Sequence, residues 1–458
     1  MQSSNRTGAA VTGGERWSEA RAEAQLHSLE LFGMRFGLDR MHRMMTALGS
    51  PERSFDTIQV LGTNGKSSTT RMAAAILEGH GLRTGAYTSP HLVSYSERIL
   101  IDGREIAADA FAAAIMRATK ASEQVNRTLG EDDHVTQFEL LTAAALWQMA
   151  EEGVEVAVIE AGLGGRYDAT SVIDADVTVL TNVGLEHTRW LGPTVTDIAE
   201  EKLAVVRPGG VLALGEDLAE DALIVAERVA RERGAQIVRP VELEDELELR
   251  SPGIFQRRNF ALARAAAEAY LGRTERVIDE QAVMRAAVET AVPGRLQRVE
   301  ERPPTVLDGA HNPAAVAALL ESLPSALGGM PLALVLGVLE DKDAAEMLRA
   351  LLPACRRAWF TAPPSERALS PAALESLARQ MGFEEVVCEP RPDRALAEAQ
   401  AWALQHDAAV LACGSVYLVG DLLGRLSPGA SRLDGSDASR LDGSDTLHAP
   451  RSNPGSLL

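Results

Sequence analysis

Cysteine, lysine and long apolar runs are all scarce in this 458-residue chain. The three cysteines, Cys355, Cys388 and Cys413, are too few and too scattered for a disulfide framework or a metal knuckle, which points to a reducing setting. No uninterrupted apolar run approaches the roughly 20 residues needed to span a bilayer. The opening MQSSNRTGAAVTGGERWSEARAEAQ has no apolar core of the signal-peptide kind. The expectation is a soluble, cytoplasmic monomer with no membrane partner. Basic charge is short too: 45 Lys and Arg against 65 Asp and Glu leave a net charge of −20. That excludes non-specific nucleic-acid binding, so any anionic ligand needs a locally positive site. Only Lys66, Lys120, Lys202 and Lys342 are lysines, and every other basic residue is arginine. Against such a bias, a lysine that persists marks a place where a bulky, always-charged guanidinium is no substitute.

What remains is ordinary for a globular protein, with 46% hydrophobic and 24% charged residues. The length fits two or three domains. Residues 1–25 read as a loose N-terminal extension, and 26–292 as a large α/β domain. Its strands are expected at Thr57–Leu61, Val154–Ile159, Val177–Leu180 and Val211–Leu214, separated by helices such as Ser68–Glu78 and Phe138–Glu152. Alternating strands and helices argue for a mostly parallel sheet covered on both faces. The acidic, alternating VELEDELELRSPG, ending at Gly253, suggests an edge strand or hairpin. After Val292-Pro293-Gly294 the pattern restarts as a smaller α/β domain over 293–427. Strands are expected there at Thr305–Leu307, Leu332–Leu336, Ala358–Thr361, Glu385–Cys388 and Ala409–Ala412. Residues 428–458 contain SRLDGSDA followed at once by SRLDGSDT, small polar repeats that read as a disordered tail.

The first chemical signal follows the strand candidate Thr57–Leu61. Gly62, Thr63, Asn64, Gly65, Lys66, Ser67 and Ser68 form a Gly-rich loop that opens a helix. Glycines let the backbone wrap a phosphate, the helix N-terminus favours an anion, Lys66 supplies a point charge and a following hydroxyl reaches a magnesium ion. Val60 stands where the common form has glycine, so the loop is a shorter G-x-x-G-K-S. Three more segments end strands or follow them: YTSPHL with Ser89, VIEAGLGGRYDAT with Glu160, and LTNVGLEHT with His187. Ligands in parallel sheets bind beyond the carboxyl ends of the strands, so Ser89, Glu160 and His187 are expected to converge near the phosphates as a mixed magnesium or manganese site. Taken singly, each has a plainer alternative as a cap or a hydrogen-bonded structural residue.

Together, GTNGK, YTSPH, SERI, IEAGLGGRYDAT, LTNVGLEHT, AEEK, VPGRLQRV, VLDGAHNP, LGVLEDKD and LACGSVYLVGDL resemble the folylpolyglutamate synthase/dihydrofolate synthase family of the Mur-ligase group, over roughly residues 28–426. The resemblance implies a Mur-ligase-like P-loop domain with a mostly parallel sheet and a smaller Rossmann-like C-terminal domain. It implies ATP-dependent joining of L-glutamate to a dihydropteroate or reduced-folate carboxylate through an acyl phosphate. By the same resemblance Lys66 holds the outer phosphates, and Ser89, Glu160 and His187 hold magnesium, with two ions expected. Lys202 matches a lysine that the family carries as a carbamate. Asn259, Arg295, Asp308 and His311 match nucleotide-contacting positions. Asp308 has a second reading, as N-cap of the helix after Pro313. The chain departs from the family pattern at Ser67, Glu186 and Glu340. A cell-wall Mur ligase would need a sizeable domain before the phosphate loop, where only about 60 residues stand. A non-catalytic nucleotide-binding homologue would be signalled by loss of Lys66, Glu160 or His187, and all three are present.

Overall fold

The structure is a computed structural model that describes residues 16–29 and 37–426. Two sheets organise the described residues. The first contains β1 (Asp56–Leu61), β2 (Thr84–Tyr87), β3 (Ile99–Ile101), β4 (Arg104–Glu105), β5 (Val156–Glu160), β6 (Val177–Leu180), β7 (Val211–Leu214) and β8 (Gln236–Val238), in the order β4-β3-β2-β5-β1-β6-β7-β8. β3 and β4 are antiparallel additions at one edge, and the other pairings are parallel. Strands β5, β6 and β7 are buried along their whole length, because helices cover both faces. Helices Lys66–Gly79 and Ile254–Arg273 bury one face with Ile58, Val60, Val158 and Val179. Helices Ala108–Asn126 and Gln137–Glu151 bury part of the other, with Tyr87, Ala157 and Ile159.

The second sheet holds β9 (Gln297–Glu301), β10 (Pro304–Leu307), β11 (Leu332–Leu336), β12 (Cys355–Phe360), β13 (Val386–Cys388) and β14 (Ala409–Cys413), ordered β13-β12-β11-β14-β10-β9. Only β9 runs antiparallel. Both sheets are therefore α/β and mostly parallel, as the alternation of strands and helices implies. Among the described residues no helix is long and apolar enough to cross a membrane.

Two expectations fail. The N-terminal extension is not loose up to residue 25. A helix runs over Glu19–Ser28, capped by Ser18, and buries Ala22 and Leu26 completely. Those residues are four apart and share one face, but the charged residues of EARAEAQ mask so narrow a stripe. The acidic stretch 241–250 forms no strand. Its backbone is engaged elsewhere, since the Arg257 guanidinium donates to the carbonyls of Leu243, Glu244 and Leu247. The sheet edge is β8, just before it. The repeat tail lies outside the described residues.

Strand order positions the site. β1 lies between β5 and β6, and its crossover to β2 goes to one side while β6 lies on the other. This is the kind of switch point where open parallel sheets bind ligands. Val60 pairs in register with Glu160, and Leu61 with Leu180. The loops after β1, β5 and β6 therefore leave the sheet side by side.

Candidate active site

The loop after β1 is shaped by two glycines. Gly62 has φ 145°, and a Cβ there would collide with Thr181 Oγ1. Gly65 has φ 83°, and a Cβ there would collide with Asn259 Oδ1. Position 67 needs no such freedom because the helix has begun at Lys66, so the serine is accommodated. The segment after β6 braces the loop: Asn64 N donates to Asn182 Oδ1 (2.9 Å), Thr181 Oγ1 to the Asn64 carbonyl (2.6 Å), and Gly184 N to Thr63 Oγ1 (3.0 Å). Lys66 Nζ donates to the carbonyls of Gly62 (3.0 Å) and Thr63 (3.1 Å), across the mouth of the loop.

Glu160 ends β5 and is 1% exposed. Ser89 N donates to its Oε2 at 3.0 Å. Burial pushes the carboxyl pKa up, opposed by Lys66, the Ser89 amide, the Ser67 hydroxyl and Arg295. A buried carboxylate held in this way favours a cation beside it. His187 adopts a left-handed backbone (φ 46°), a conformation uncommon outside glycine. Burial lowers its pKa, with Lys342 and Lys66 adding to the effect and Glu186 opposing it. Lys202 lies behind the phosphate loop, 2% exposed, with Nζ 2.9 Å from Glu186 Oε1 and 3.0 Å from the Gly62 carbonyl. Burial lowers the Lys202 pKa. Burial alone would raise that of Glu186, but Lys202 and Lys66 bring it down to about 2.

The second domain closes the other side. Asp308 follows β10, is 3% exposed, and accepts Leu296 N and Ala310 N at 2.7 Å each. Burial raises its pKa while Arg295 opposes. Asp308 is not the N-cap of the next helix. Asn312 is, accepting Ala315 N at 2.8 Å, because it directly precedes Pro313 at the first helical position. Asn312 also exchanges amide hydrogen bonds with Asn64 of the phosphate loop (2.9 and 3.3 Å), which ties the two domains together. Burial, with Lys342, Arg295 and Lys66, takes His311 down to about 4.

A cleft of about 410 Å³ lies between the domains. Thr63, Asn64, Gly65, Lys66, Ser67 and Ser68 line it from the loop, and Ser89, Glu160 and His187 from the neighbouring strand ends. Asn259 lines it beside the loop, from helix Ile254–Arg273, and Arg295, Asp308 and His311 line it from the opposite wall. Gly62 and Lys202 stand behind this surface. The Asn312 tie and the Glu186–Lys202 pair were missed as functional features. Asn312 had a visible signal, its place between His311 and Pro313, whereas the Glu186–Lys202 pair is created only by folding.

Among the described residues no three His, Cys, Asp or Glu side chains cluster closely enough to hold a metal by themselves. One carboxylate, one hydroxyl and one imidazole facing a phosphate loop suit magnesium, which binds through one or two carboxylates plus the oxygens of its substrate phosphates. The residues present fit that ion.

Known proteins share this architecture. The Mur ligase middle domain matches residues 60–212, and the Mur ligase, glutamate ligase domain matches 294–416. The dihydrofolate synthase/folylpolyglutamate synthase of Escherichia coli K12 is 33% identical over 403 residues, covering 84% of this chain and 90% of that protein. The crystal structure of Mycobacterium tuberculosis folylpolyglutamate synthase complexed with ADP and AMPPCP is similar with a TM-score of 0.82 at 30% identity, covering 90% of this chain and 99% of that one. The bifunctional folylpolyglutamate synthase/dihydrofolate synthase of Yersinia pestis, complexed with AMPPNP and a Mn ion, gives a TM-score of 0.77 at 28% identity, covering 90% and 98%. By sequence, by domain order and by the site just described, the chain belongs to the folylpolyglutamate synthase/dihydrofolate synthase family.

Proposed function

We propose that this protein is a cytoplasmic, monomeric, ATP-dependent ligase that joins L-glutamate to the carboxylate of dihydropteroate or of a reduced folate. One observation carries the reading. A phosphate loop with Lys66, the buried Glu160 carboxylate, and the Asp308–His311 wall of a second domain face each other across a single cleft. A lone nucleotide-binding module needs no such second wall.

A carboxylate is a poor electrophile. ATP converts it to an acyl phosphate by transfer of the γ-phosphoryl group, and ADP is the leaving group. The neutral glutamate amine then attacks the acyl carbon, the acyl C–O bond breaks as inorganic phosphate leaves, and loss of a proton from the nitrogen gives the amide. Several anions meet in this sequence, so the site must offset negative charge. Lys66 and the amides of the loop hold the phosphates. Ser89, Glu160 and His187 would hold magnesium, with a second ion nearby, and that metal supplies charge neutralisation along the phosphoryl path. Asn259 binds the nucleotide from the first domain, and Arg295, Asp308 and His311 from the second, so the reactive acyl phosphate is enclosed away from water. Lys202 acts as a carbamate, an anion formed when its neutral amine takes up carbon dioxide with release of a proton. Its burial and lowered pKa support that chemistry, which requires Nζ to leave Glu186 Oε1, the group that opposes the lowering.

The test follows an oxygen atom. With [18O]carboxylate-labelled dihydropteroate, one labelled oxygen must appear in the inorganic phosphate released during ligation. Unlabelled phosphate would overturn the acyl-phosphate route.

A further inference from the structure

The loop between β2 and β3 reaches across to the second domain and seats there on a glycine. This loop carries Ser89, whose amide holds Glu160. Three residues later, the partly buried Leu92 packs against the second domain's core, a cluster that includes Leu418, Val419 and Leu422 of helix Val416–Leu426. Its side chain fills a notch beside Gly294 and Val419: a Cβ on Gly294 would come within 3.0 Å of Leu92 Cδ1 and of Val419 Cγ1. Its carbonyl lies directly against Gly420. A Cβ on Gly420 would collide with the Leu92 oxygen and come within 2.9 Å of the carbonyl carbon and 3.3 Å of Cα. The neighbour is backbone, so no rotamer change relieves the contact.

The loop itself cannot yield easily. The Glu97 carboxylate accepts the backbone amides of Leu92 (2.9 Å), Val93 (2.8 Å) and Ser94 (2.9 Å), and Arg98 Nε donates to His91 Nδ1 at 3.0 Å. These bonds brace residues 91–94 against Glu97 and Arg98, and Ser89 stands just two residues before that braced segment, so a shift of Leu92 is passed to it through Pro90 and His91.

The geometry points to Gly420 as a positioning residue for the ligation: its bare Cα is the seat on which the Ser89 loop docks, and this seat fixes the second domain's distance from Ser89 and Glu160. The inference rests on the reading of Ser89 and Glu160 as metal-holding groups. A methyl on Gly420 must push the loop and the helix apart by something like an ångström, because packed backbone does not compress. Displacements of that size cost about 100-fold in rate when they separate groups that must act together.

Gly424 supplies the control, one turn further along the same helix. A Cβ there meets Val93 Cγ1 at 3.6 Å, an ordinary contact. Both Gly→Ala changes raise helix propensity equally, so they differ only at the seat. The experiment compares Gly420→Ala, Gly424→Ala and Ser89→Ala in thermal melts and in steady-state kinetics with ATP, glutamate and dihydropteroate. Gly420→Ala is expected to melt within a few degrees of wild type, keep its KM for ATP within about threefold, and lose about 100-fold in kcat. Gly424→Ala is expected to match wild type. Should Gly420→Ala fail to fold, Gly420→Ser at low temperature replaces it in the same assay, and Leu92→Ala, which loosens the side-chain half of the same docking contact, is expected to lose about tenfold in kcat. A folded Gly420→Ala with near wild-type kcat, a Gly424→Ala equally impaired, or a Leu92→Ala of normal turnover would each overturn the seat. A normal Ser89→Ala would instead sink the metal reading, leaving Gly420 to be judged by its own pair of variants.

Discussion

Lys202→Arg separates stability from chemistry at the most deeply buried cation of the site. The Lys202 ammonium is 2% exposed and has two acceptors, Glu186 Oε1 and the Gly62 carbonyl, at 2.9 and 3.0 Å. A guanidinium offers five donors in a fork and can serve both, so Glu186 is not left as an unpaired buried charge. The extra bulk in a packed site costs about 1–3 kcal/mol, which leaves the folded state dominant. If the cation alone mattered, turnover would then stay near wild type. If the working group is a carbamate, arginine cannot take up carbon dioxide, and a positive charge stands where a negative one is needed. The expected loss is then about a thousandfold, or about 4 kcal/mol of barrier. The assay is ADP release at saturating ATP, glutamate and dihydropteroate, with a circular-dichroism melt to confirm folding. Lys202→Ala, assayed with added acetate, should recover part of its activity as the small anion fills the vacated position. An arginine variant within a few-fold of wild-type turnover would refute the carbamate and return Lys202 to a structural pair with Glu186.

Three further outcomes are expected. Glu160→Gln should raise the melting temperature, because burial disfavours the ionised carboxylate it replaces, yet lower turnover by about 10²–10³-fold; calorimetry and kinetics on one preparation check both. His311 has a folded pKa of about 4 against an ordinary 6.5, so between those values the unfolded chain takes up a proton that the folded chain refuses. Stability therefore falls as pH drops from 6.5 to 4, by up to about 3 kcal/mol, and denaturant melts at pH 7 and 5 should show a smaller fall in His311→Gln. Asn64→Ala and Asn312→Ala should each raise the KM for ATP, with a coupling of about 1 kcal/mol in the double-mutant cycle, and strict additivity would deny the tie between domains.

The sequence made the strands around the phosphate loop easy to read, since β1, β5, β6 and β7 are apolar runs flanked by glycine and helix signals. Chemistry-bearing residues at strand ends were readable for the same reason: a carboxylate or histidine directly after an apolar run has one place to go in a parallel sheet. The helix Glu19–Ser28 was not readable, because only Ala22 and Leu26 are buried and charge surrounds them. The stretch 241–250 misled because alternation mimics a strand, and the contacts that replace the ladder come from one side chain, Arg257, ten to fourteen residues further along the chain. The second reading of Asp308, as cap of the helix after Pro313, fails because Asn312, next to the proline, is the residue placed to reach the free amides. The seat at Gly420 joins segments far apart in the chain, and the Glu186–Lys202 pair spans 16 residues across a turn and a helix, so no local pattern carries either of them.

The central claim is that both walls of the cleft serve one ligation, and the products test it most directly. Purified protein is given ATP, magnesium and [15N]glutamate, with dihydropteroate in one reaction and a reduced folate in another, and the products are read by mass spectrometry alongside ADP. The account predicts one labelled glutamyl residue joined per ADP formed, with either acceptor, and little ADP when glutamate or the acceptor is left out. ADP formed without any glutamyl product, or at the same rate without glutamate, would contradict it.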